Sequence, residues 1–161
     1  MKKLMILMAV AGGLLISCHT TENRGASGID ALSSATEKVT DVPYTVADHY
    51  FVRNDVKKLP NGKISSQKDF ESKFGMAPVM GEDGLPTEID FDKQFAISVT
   101  KPVTDYATEL EPVSLVSDSE GDLVFTYRTI VGEHQSYSIQ PNLIIIVDKK
   151  YKGRVKIREE E

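Results

Sequence analysis

The chain has 161 residues, a formal charge of −5 at pH 7, no tryptophan and a single cysteine. One cysteine excludes an internal disulfide, and the acidic balance argues against nucleic acid as a partner. The length suits one domain with a real core.

Met1, Lys2 and Lys3 open the chain, and an uncharged stretch runs from Leu4 to Ser17. A basic start followed by an apolar stretch too short for a span of roughly 20 residues is the order of a secretion signal, so residues 1–17 read as a signal peptide. The segment Leu15-Ile16-Ser17-Cys18 resembles the lipobox of bacterial lipoproteins. That resemblance implies a thioether-linked diacylglycerol on Cys18 and a further acyl chain on the new amino end after cleavage. Burying acyl chains is worth about 0.8 kcal/mol per CH₂, so two or three chains anchor stably where one does not. Cleavage leaves 17 basic and 24 acidic residues, a formal charge of −7. The expected location is outside the cytoplasm on a bacterial membrane, the outer membrane first, on its periplasmic face or at the cell surface. Residues 19–23 hold one acid and no aspartate at the second position after the cysteine, so the rule for inner-membrane retention is not met.

Residues 18–41 are polar and rich in Ser, Thr and Gly, and read as the lipidated cysteine with a flexible tether. A helical turn near 29–35 is conceivable there. Residues 42–161 read as a β-rich globular domain. The first strand is expected at 44–53 (YTVADHYFVR), and Asn61-Gly62 supplies a turn. One short helix starts at Ser65 or Ser66, where Asp69 three residues on resembles a capping box, Phe70 and Phe74 share a face, and Gly75 ends it. Residues 94–100 (QFAISVT) alternate as a half-buried strand does. A weaker strand at 107–117 contains Pro112, which predicts a sheet edge or a bulge. Residues 118–122 form a hairpin turn, and 123–131 alternate again. The run at 142–147 (NLIIIV) predicts a central strand covered on both faces. Residues 149–153 turn the chain into a last strand at 154–158, with Val155 and Ile157 inward. About six strands with one short helix predict an α+β, β-rich fold, either a mostly antiparallel sheet or a small open barrel.

Over roughly residues 63–157, the order of these elements resembles the PrcB-like domain, which forms the C-terminal part of certain protease-complex proteins. The resemblance is carried by the helix SSQKDFESKFG, by Asp90-Phe91 and Lys93 before the first long strand, and by Pro141 before the apolar strand. It implies a β-rich, non-enzymatic domain whose named relatives stabilise a protease. The glycine-rich turn of the family between the middle strands is absent, and Thr104-Asp105-Tyr106-Ala107 stands in its place.

No constellation of catalysis or metal binding is legible. His19, His49 and His134 have no partner at metal-ligand spacing. His134 falls in an expected hairpin loop beside Glu133 and near Ser136, and His49 falls in an expected strand. No nucleophile elbow, phosphate loop or dinucleotide fingerprint occurs, and Cys18 is committed to lipid. The acidic runs at 82–83 and 118–122 lack the EF-hand ligand pattern and read as solvated turns. The basic cluster at 149–154 suits either anionic headgroups or, as the favoured reading, protection of a sheet edge. The expectation is a membrane-tethered envelope module without cofactor or metal. It binds a protein partner and modulates a protease or a larger complex; the alternative is a small-ligand or glycan-binding lipoprotein.

Overall fold

The computed structural model describes residues 39–81 and 83–161. The signal peptide, Cys18, His19, the turn suggested near 29–35 and Glu82 lie outside the described residues. In chain order the elements are β1 (Thr40–Asp41), β2 (Thr45–Val46), β3 (Tyr50–Val52), β4 (Gly62–Ile64), α1 (Gln67–Glu71), β5 (Phe74–Met76), β6 (Gln94–Thr100), β7 (Thr104–Ser117), β8 (Leu123–Ile139), β9 (Asn142–Asp148) and β10 (Val155–Glu160). They make two four-stranded sheets, ordered β1-β7-β8-β10 and β2-β9-β6-β4, and a two-stranded sheet of β3 and β5. Every pairing is antiparallel except that of β8 with β10. The fold is of the expected β-rich α+β class, with open sheets rather than a closed barrel.

The sheet built on β6 and β9 is the middle layer. Side chains alternate across a strand, so Phe95, Ile97 and Val99 join Leu143, Ile145 and Val147 on one face, against Leu115, Leu123 and Phe125 of the β7–β8 sheet. On the opposite face Ala96, Ile144 and Ile146 meet Val52, Ile64, Phe70 and Phe74 from β3, β4, α1 and β5. Each large apolar side chain buried here is worth about 1.5–3 kcal/mol. This is why 142–147 carries no polar alternation: both faces are core, as its sequence predicts. It also corrects the reading of 94–100, in which only one face was expected inside. Ser98 is fully buried, and its hydroxyl donates to the Pro60 carbonyl, so a polar residue on the second face stays satisfied.

Several local expectations change. The first strand divides into β2 and β3 because His49 takes φ 64°, a left-handed conformation for which histidine is among the more tolerant side chains. His49 is therefore in a bend, half-buried, and not in a strand. Thr87 fastens the bend: its hydroxyl accepts from the Asp48 N–H at 3.0 Å, and its own N–H donates to the Asp48 carbonyl at 3.2 Å. Ser66 does cap α1, accepting from the Asp69 N–H at 3.3 Å. However, the helix stops at Glu71, where the Ser72 hydroxyl donates to the Asp69 carbonyl at 2.7 Å and competes with the next helical bond. Gly75 does not end the helix. It pairs with Phe51 across β3 and β5, where an added Cβ would come within 2.5 Å of the Phe51 ring.

In the other sheet, Pro112 does mark a bulge, with the register shifting between Pro112 and Ser114. β8 runs on to Ile139, so residues 131–136 are strand and not a hairpin loop. Thr40 and Asp41, assigned to the tether, pair with Ser117 and Val116. Val155 and Ile157 pack on the core as expected.

Candidate binding cleft

On the outer side of the middle layer, α1, the β3–β5 sheet and residues 85–94 bound a cleft of about 740 Å³ that is half-open to solvent. Its floor is aromatic. Phe70 stacks on Phe74 at 5.1 Å between centroids, lies 5.5 Å from Phe91, and takes the edge of Tyr50 at 5.0 Å. The Ser66 cap and the 51–75 pairing deliver these rings from two elements, and the Asp90 turn delivers the third. Its Oδ1 accepts from the Asp92 N–H at 3.0 Å, and its backbone carbonyl accepts from the Gln94 N–H at 2.7 Å. Above the floor, Met76 at the end of β5 and Leu85 in the Gly- and Pro-rich loop that follows stand 65% and 77% exposed, and exposed apolar side chains gathered at one place mark a contact surface.

The rim is acidic. Glu71, Glu88 and Asp90 line the cleft, and among the described residues no lysine, arginine or histidine does. Lys93 Nζ lies 2.7 Å from Asp90 Oδ2 and holds that carboxyl below its usual range, helped by the Asp92 N–H. Glu71 accepts only the Gln67 amide at 2.7 Å, and among the described residues no ion pair reaches Glu71 or Glu88. The Tyr50 hydroxyl donates to the Thr87 carbonyl at 2.6 Å. Burial, and then the charge of Glu88, push its phenol above the ordinary value. An apolar floor under uncompensated carboxylates suits an apolar group that carries positive charge.

The residues singled out in the sequence lie elsewhere. His134 Nε2 is 3.0 Å from Asp105 Oδ2 across the exposed β7–β8 ribbon, with the Tyr106 ring edge-on at 5.5 Å. Its partner is thus Asp105, rather than Glu133 or Ser136. Asp122 is not a solvated turn residue: it is 5% exposed and binds Arg154 Nη2 at 2.8 Å and Lys156 Nζ at 3.1 Å. Asp118 does cap the turn, accepting from the Glu120 and Asp122 N–H groups. Of the basic cluster, Arg154 is spent on Asp122 and Lys149 donates to the Phe91 carbonyl, while β10 forms the outer strand of its sheet. The cleft itself was missed. The available signal was two exposed apolar residues, Met76 and Leu85, close to the Gly- and Pro-containing stretch 77–87.

Comparison with protein-family models, with curated proteins and with solved structures finds no match, so the site is read from its own geometry.

Proposed function

We propose that this chain is a lipid-anchored accessory protein of the bacterial envelope. It is tethered through Cys18 and acts without catalysis by holding a segment of a protein partner in the cleft. The observation that carries the binding role is the half-open cleft itself, with the stacked, buried Phe70–Phe74 pair as its floor and the exposed Met76 and Leu85 above it. A half-open groove leaves room for a segment that belongs to a larger molecule. The lipobox resemblance of Leu15-Ile16-Ser17-Cys18 carries the anchor, and the PrcB-like resemblance points to a protease or an envelope complex as the kind of assembly modulated. A small apolar or glycan ligand is the second reading, favoured by a volume inside the range of about 300–1,000 Å³ usual for ligand sites.

Two comparisons test this. Wild type and Cys18→Ala are labelled with a fatty-acid analogue and fractionated; the wild type should label and sediment with membrane, and the variant should do neither. A variant that still labels and sediments with membrane overturns the anchor. Crosslinking in intact envelopes then compares wild type with Leu85→Asp. Adducts that vanish in the variant support the cleft, and identical adducts overturn it.

A further inference from the structure

We infer that the partner segment carries basic side chains around an apolar one, and that a lysine or arginine enters each of two hollows that meet at Leu85. This rests on the proposed binding role of the cleft and names the chemistry of its occupant.

A second hollow of about 500 Å³ is lined by Asp48, His49, Asp83, Leu85 and Thr87. Leu85 lines this hollow and the cleft alike, so its exposed side chain stands between them. Among the described residues the two linings contain no lysine or arginine, and no ion pair reaches Asp48, Glu71, Asp83 or Glu88. Elsewhere Asp69, Glu111, Asp122 and Glu159 each hold a lysine or arginine within 2.9 Å. Four carboxylates left open around one exposed apolar group make a field that attracts cations. After burial, it is the charge of Glu88 that raises the Tyr50 phenol, so this field reaches the wall of the cleft.

The positive charge has to arrive dispersed. Among the described residues no three carboxylate or imidazole groups gather closely enough to hold a metal ion. An anionic lipid surface is repelled by the same field, and a second copy of this chain brings a formal charge of −5 against it. A lysine or arginine fits both parts of the surface. Its aliphatic stem lies along apolar side chains while its charged head stays in water beside the carboxylates. An apolar neighbour in the segment then meets Met76 and Leu85, and methionine adapts to the shape it is offered.

The test titrates the isotope-labelled, purified full chain with acetyl-Lys-Leu-Lys-amide and with its forms carrying two or three leucines, and follows the backbone amide shifts, which register weak binding. The amides of Met76, Leu85 and Thr87 should move together and saturate. Serine for leucine should weaken binding at least about tenfold, as expected when a buried aliphatic side chain is lost, and glutamate for both lysines should abolish it. Glu88→Gln and Asp83→Asn change exposed side chains, and thermal melting checks their fold. Each should weaken binding about two- to fivefold, the scale of one exposed ion pair. Glu109→Gln, at an exposed carboxylate on the β7–β8 ribbon outside both hollows, should leave binding unchanged. No saturable shift at the three amides with any of the peptides overturns the inference. So does equal binding of the lysine and glutamate forms, indifference to either Glu88→Gln or Asp83→Asn, or an equal loss in Glu109→Gln. Benzyltrimethylammonium binding as tightly as the best peptide also overturns it, in favour of a small cation. The proposed cleft function falls separately, through the Leu85→Asp crosslinking comparison.

Discussion

The carboxylate of Asp122 holds the guanidinium of Arg154 at 2.8 Å, and this pair ties the 118–122 turn to the start of β10. Lys156 joins it at 3.1 Å, and the Arg154 and Lys156 hydrogen bonds bring the Asp122 pKa down from 3.8 to about 2. At the other end of β10, Glu159 accepts from Lys101 Nζ and Thr129 Oγ1, each at 2.5 Å, and from the Tyr127 hydroxyl at 3.0 Å. Its pKa falls from 4.5 to about 2. Both groups have folded pKa values below their unfolded ones, so their contribution is complete above about pH 4.5 and is lost as pH falls toward 2. Urea midpoints should be flat from pH 7 to 5 and drop steeply from pH 4 to 2. Asp122→Asn should lower the midpoint at pH 7 and flatten the acid drop.

The middle sheet predicts an unusual pair of equal losses. Ile144 and Ile145 are neighbours in β9, point to opposite faces, and are both buried in separate clusters. Ile144→Ala and Ile145→Ala should each cost about 2–5 kcal/mol in chemical denaturation, the range for deleting a buried aliphatic side chain. A strand with one wet face would show a large loss at only one of the two.

How much of this could be read from the sequence depended on burial. Residues 94–100 show themselves by alternation and 142–147 by an unbroken apolar run, and their bounds hold to within a residue, although the buried second face of 94–100 is hidden behind the small Ala96 and Ser98. The bridges at Thr40–Asp41, Gly62–Ile64 and Phe74–Met76 are two or three residues long, too short to show a period of two. The distal half of β8 escapes for a different reason. Gly132, Glu133, His134 and Ser136 are exposed on the ribbon, so no face selects apolar residues and the segment resembles a loop. The cleft draws its lining from three separated stretches, around Tyr50, 67–76 and 85–94. No local pattern joins them before the chain has folded.

Gly153 should tolerate no side chain. Its φ is 137°, and a Cβ there would lie 2.2 Å from the Gly121 carbonyl oxygen. Because the obstacle is backbone rather than a movable side chain, Gly153→Ala should cost about 1–3 kcal/mol, the scale of a strained backbone residue. Thermal melting at neutral pH measures it.

His134→Ala should change stability by less than about 0.5 kcal/mol, as surface substitutions do. The His134–Asp105 pair is more than half exposed on both sides and is screened by water. The same melts read the result, and a large loss would mean that the ribbon depends on this contact.

The layering of the molecule also governs when it can form. Thr45 and Val46 find their sheet partners in Ile146 and Ile145, about a hundred positions away, and separations of that order make folding slow, in milliseconds to seconds. Neither core cluster is complete without β9, so neither can be completed until residue 148 has left the ribosome. On the proposed route, across a membrane before anchoring, that delay would be useful, because an incomplete core leaves the emerging polypeptide threadable until translocation has brought its two halves together.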